Sequence, residues 1–157
     1  MDDFFNPRRP AFALQQISRT MHDAGLPLWI VLYDHDLARP NLAEELQWCD
    51  VVSFWTWDCA NLKHLEENMA RVKAVAPDKA VALGCYLWNF NLTGLLTCDH
   101  MNLQCEQGRR WLHDGTIDEM ILLGSPLVGM NLPTLEWTRD WIAAHAEELI
   151  PAKGGAR

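Results

Sequence analysis

The chain has 157 residues, 49% hydrophobic and 22% charged, a globular profile long enough for one domain with a real core. Thirteen basic residues against twenty-one acidic ones give a formal net charge of −8, which disfavours nucleic acid as a partner because counterion release needs clustered Lys and Arg. No apolar run approaches the roughly 20 residues of a membrane span, and "MDDFFNPRRP" lacks the basic-then-apolar order of a signal peptide.

The first predicted element is a helix from about Pro10 to Asp23, with Leu14, Ile17 and Met21 on one face and Gly25 and Pro27 as stops. "LPLWIVLYDHD" reads as a buried strand ending in polar residues. Asn41, with Glu44 three residues on, has the spacing of a capping box, so "NLAEELQWC" is a short helix. "VVSFWTWDC" is the second strand. Asn61 is placed to cap a helix carrying Leu62, Leu65, Met69 and Val72, which Pro77 ends. "KAVALGCYLWN" is the third strand, and "FNLTGLLTCDH" is read as a loop. A helix follows from about Asn102 to His113, closed by Gly115. "IDEMILLGS" is the fourth strand, Pro133 suits the first turn of a last helix, and "PAKGGAR" reads as a frayed tail. Residues 1–150 thus form a single α/β domain, with 151–157 as a disordered tail.

Strict strand–helix alternation implies a parallel sheet of four strand–helix units. A doubly wound open sheet and half of an eight-stranded (β/α)8 barrel both fit that order. Successive strand residues point to opposite faces. One face is aliphatic: Leu28, Ile30 and Leu32; Val52 and Phe54; Val81, Leu83, Cys85 and Leu87. The other carries Trp29, Val31, Tyr33 and His35; Ser53, Trp55 and Trp57; Ala82, Gly84, Tyr86 and Trp88. It runs from small or mixed residues to aromatic and polar ones, as a barrel lumen opening into a site would.

In "FWTWD" and "GCYLWNF", at successive strand ends, the chain resembles the C-terminal half of TIM-barrel proteins of the glycoside-hydrolase-like kind, over about residues 26 to 148. The resemblance implies a carbohydrate-active half barrel, binding or hydrolysing sugar. It lies at the level of the fold and transfers no catalytic residue. A half barrel would leave an aromatic inner face and two sheet edges uncovered, so a homodimer or a missing N-terminal half of the barrel is expected to cover them.

The candidate substrate-binding ring is Tyr33, Trp55, Trp57, Tyr86, Trp88, Asn89 and Ser125, whose aromatic faces suit the C–H faces of sugars. The same rings could simply fill a core or an interface. Glycoside hydrolysis uses two carboxylates, so Asp34, Asp36 and Asp58, with His35, are the candidate catalytic groups. Aspartates that cap helices or turns are commoner. In the familiar retaining barrels the corresponding seventh strand ends in a glutamate; here it ends at Trp88 and Asn89, and an amide is no nucleophile. Glu119 begins the fourth strand, at the wrong end of a barrel.

A third reading, a metal-dependent small-molecule enzyme, would draw on His35, Asp58, Cys98, Asp99 and His100, but no recognised ligand spacing is present. No cofactor motif is found. Gly124-Ser125-Pro126 lacks the nucleophile elbow, and the Asn91-Leu92-Thr93 sequon is inert without a secretory route. Cys49, Cys59, Cys85, Cys98 and Cys105 form no CxxC pair and read as reduced thiols of a cytoplasmic protein. Trp48, Trp111, Trp137 and Trp141, on helices, read as core anchors.

Overall fold

The computed structural model describes residues 12–90, 94–124, 127 and 129–151. Residues 152–157 of the expected tail, the sequon and Ser125 lie outside the described residues. In chain order the elements are α1 (Phe12–Asp23), β1 (Trp29–Tyr33), α2 (Leu42–Leu46), β2 (Val51–Trp55), α3 (Leu65–Val75), β3 (Ala80–Tyr86), β4 (Trp88–Asn89), β5 (Gly94–Leu95), α4 (Cys98–Asp114), β6 (Glu119–Leu123) and α5 (Pro133–His145). Short 3₁₀ turns, Asp34–Ala38 and Cys59–His64, follow the first two strands.

The main sheet has the order β1-β2-β3-β6 and is parallel throughout. Strands adjacent in sequence, β4 and β5 aside, are adjacent in the sheet, with no reversal of order. Right-handed crossovers in such a sheet return on one face, whereas helices on both faces require the order to reverse. The contacts agree: α2 touches α3, and α4 touches both β3 and α5.

On the helix-packed face, Val52, Phe54, Val81, Leu83 and Cys85 are buried completely or nearly so. Helix α4 approaches closely because residue 108 is glycine: a Cβ there would lie 2.6 Å from Met120 Cε and 2.9 Å from Leu83 Cδ2. On the opposite face, register aligns Val31, Ser53, Ala82 and Glu119 in one row, and Tyr33, Trp55, Gly84 and Ile121 in the next. The indole of Trp55 lies across Gly84, where a Cβ would fall 2.0 Å from the ring. Its Nε1 donates to Ser53 Oγ at 2.7 Å.

Two aspartates staple the N-terminal ends of the strands in the same way. Asp50, just before β2, accepts the Leu28 amide at 2.7 Å, and Asp118, just before β6, accepts the Val81 amide at 2.8 Å. His22 Nε2 also bonds Asp50 at 2.8 Å. These two hydrogen bonds, to His22 and then to the Leu28 amide, hold the Asp50 carboxyl below its ordinary pKa.

Several local expectations need correction. The side chain of Asn41 makes no cap bond, so the capping box is absent. Asn61 caps nothing: Asp58 caps the 3₁₀ turn through the Ala60 amide, and α3 starts only at Leu65. Helix α4 begins earlier than its apolar pattern, at Cys98, because Thr97 Oγ1 accepts the His100 amide and His100 reaches back to Thr97. The expected third strand breaks after Tyr86: Trp88–Asn89 leaves the main sheet as β4 and pairs antiparallel with β5, which lies in the expected loop. Gly115 closes α4 at φ 78°, and Pro133 opens α5, as the sequence predicts.

Candidate functional site

The C-terminal ends of the strands carry a continuous run of rings. His35 stacks on Tyr33 at 5.3 Å between centroids, Tyr33 meets Trp57 edge-on at 5.2 Å, and Trp57 lies 5.3 Å from Phe90, tilted by 32°. Phe90 packs on Tyr86 at 4.5 Å, and Tyr86 on Trp55 at 4.5 Å. The run forms because β1, β2 and β3 each end in aromatic residues on one face, and offset or edge-on ring pairs are favoured.

This packing divides the candidate ring. Tyr33, Trp55 and Tyr86 are each under a tenth exposed and serve as floor. The expected bare inner face is therefore largely covered by the chain's own rings. Trp57 and Trp88 are half-buried, and Phe90 is 42% exposed. Phe90 was hidden from sequence reasoning inside an expected loop, although it follows Trp88 by two residues, the strand period.

The polar candidates hold backbone. Asp34, its side chain 6% exposed, accepts the Trp57 amide on Oδ1 at 3.1 Å and the Asn61 amide group on Oδ2 at 2.7 Å. Asn89, buried, accepts the Cys59 amide at 3.2 Å. The loop after β2 is thus gripped from the turn after β1 on one side and from β4 on the other. Asp36 accepts the Tyr33 amide at 3.1 Å, and Asp58 accepts that of Ala60 at 3.0 Å. The chain turns into a 3₁₀ helix at Asp34, so strand alternation does not extend to His35. His35 is nevertheless out in solvent at the rim, its side chain 61% exposed.

Among the described residues no group of three His, Cys, Asp or Glu side chains is placed to hold a metal ion, and His100 is engaged with Thr97. No described helix is long and apolar enough to cross a membrane. Trp111 is buried, while Trp48, Trp137 and Trp141 pack against the core, Trp141 also donating to Glu106 at 2.7 Å. Comparison with protein-family models, curated proteins and solved structures finds no match to this chain. Its own geometry therefore carries the functional reading.

Proposed function

We propose that the chain is half of a TIM-like barrel that binds a carbohydrate at the C-terminal ends of its strands. The half-barrel reading draws support from the sequential strand order and from a second sheet face graded from Ser53 and Ala82 to Trp55 and Tyr86. The carbohydrate reading rests on one observation above others: the partly exposed rings of Trp57 and Phe90 lie side by side at the rim, with the His35 imidazole beyond Tyr33. Aromatic faces take the apolar side of a sugar ring while a nearby imidazole can bond its hydroxyls.

Binding is favoured over hydrolysis, because Asp34, Asp36 and Asp58 each accept a backbone amide hydrogen bond and Asn89 stands at the next strand end. The five free cysteines suit a reducing, cytoplasmic setting.

The test is titration with a panel of mono- and oligosaccharides, followed by tryptophan fluorescence. Saturable quenching that Trp57→Ala abolishes is the expected result, together with no turnover of chromogenic glycosides. Silence from every saccharide overturns the reading.

A second reading, from a different class, is a non-catalytic assembly module. It draws on β6, which ends the sheet with Glu119 and Leu123 exposed and Met120, Ile121 and Leu122 half-buried, an edge that in most proteins is covered or charged. Two copies pairing β6 with β1 of the other would close an eight-stranded barrel. Light scattering reads the outcome directly, as a monomer or a dimer mass.

A further inference from the structure

Beside the platform lies a pocket of about 280 Å³ formed by Trp88, Phe90, Leu123, Gly124, Leu127 and Met130. Two features set it apart. The described lining residues carry no charged group, and the Trp88 indole N–H is the one side-chain donor of the N–H or O–H kind among them. Phe90, Leu123 and Met130 also leave 42, 36 and 48% of their surfaces in water, concentrating exposed apolar surface around one concavity. The pocket sits where β4 and β6 end, the end of a parallel sheet at which α/β folds take their ligands.

Size narrows the occupant. An apolar cavity of about 150 Å³ in another protein stays dry and takes one benzene ring. This pocket is nearly twice that volume, enough for two fused rings. Its walls suit an aromatic guest, since Trp88 and Phe90 offer ring faces or edges and Met130 offers a polarisable thioether. A charged guest would lose its hydration with no charged side chain among the described lining residues to replace it.

We propose that this pocket is a binding site for an uncharged two-ring aromatic molecule, of the size of indole or naphthol. The site adjoins the saccharide platform, sharing Phe90 with it and taking in Trp88 of the candidate ring.

Calorimetric titration of the full chain with 2-naphthol and with indole tests this, with 2-naphthoate as the charged counterpart. Saturable binding of 2-naphthol, at least tenfold tighter than 2-naphthoate, is expected. Leu127→Trp fills the pocket from within and should remove binding. Met130→Glu puts a charge at the exposed rim, where it is tolerated by the fold, and should weaken binding at least tenfold. No binding by the wild-type chain, equal affinity for the charged compound, or binding unmoved in whichever of the two variants folds overturns the proposal. No saccharide enters this titration, so its failure is distinct from a failure of the saccharide reading.

Discussion

Asp34 Oδ2 accepts a hydrogen bond from Asn61 Nδ2 at 2.7 Å, joining the turn after β1 to the turn after β2. The other oxygen takes the Trp57 amide, so a single carboxylate fixes the height at which the Trp57 ring stands. Asp34→Ala removes a buried, charge-assisted pair of bonds and leaves two donors unmet. The expected loss is about 2 kcal/mol, by the usual range for hydrogen bonds to charged groups, read from urea denaturation. If the saccharide reading holds, affinity should fall as well, and Asn61→Ala should reproduce part of both effects.

Trp55 and Trp57 should separate cleanly. Trp55 is 5% exposed and lies on the sheet, so Trp55→Ala is expected to cost about 3–5 kcal/mol of stability as a large-to-small core change. Trp57 is half-buried at the rim, so Trp57→Ala should cost less stability while abolishing the saccharide response. Equal stability losses in the two variants would contradict the division into floor and platform.

Gly84→Ala drives a methyl group into the Trp55 indole, 2.0 Å away. Overpacking of this kind costs about 1–3 kcal/mol. Near-ultraviolet circular dichroism should report the displaced indole, and Trp55→Leu in the same chain should recover part of the loss by making room.

Acid should loosen the α4–α5 junction. Glu148 bonds His113 at 3.0 Å, His145 at 2.8 Å and Arg109 at 3.3 Å, and these donors, the histidines foremost, hold its carboxyl down at about 2. A depressed carboxyl contributes stability that is fully present above its unfolded pKa and is lost as pH falls through the folded one. The contribution should therefore be intact above about pH 5 and fade toward pH 2. Hydrogen exchange along α5 should accelerate over that window, and Glu148→Gln should show the faster exchange already at neutral pH. Because Glu148 is solvent-facing, salt should mimic part of the effect.

The sheet was legible in the sequence because burial imposes a period of two: Val52 and Phe54 against Ser53 and Trp55, Leu83 and Cys85 against Gly84 and Tyr86. Gly115 and Pro133 were legible because each satisfies a local backbone demand. What stayed hidden depends on partners distant in sequence. Asn61 has the composition of a helix cap, yet its amide is claimed by Asp34 on another strand end, and Asp58 caps instead. The aspartates look equally available in a string of letters; only the fold reveals that backbone amides occupy them. Phe90, Leu127 and Met130 carry no chemical signature and gain meaning only where β4 and β6 end side by side.

The paired staples at Asp50 and Asp118 have a broader consequence. Each aspartate bonds the amide of the residue opposite it on or beside the neighbouring strand, at nearly the same distance, so the β1–β2 and β3–β6 pairs share one kind of joint. Repeating one joint at two strand pairs fixes the register of both by the same local means.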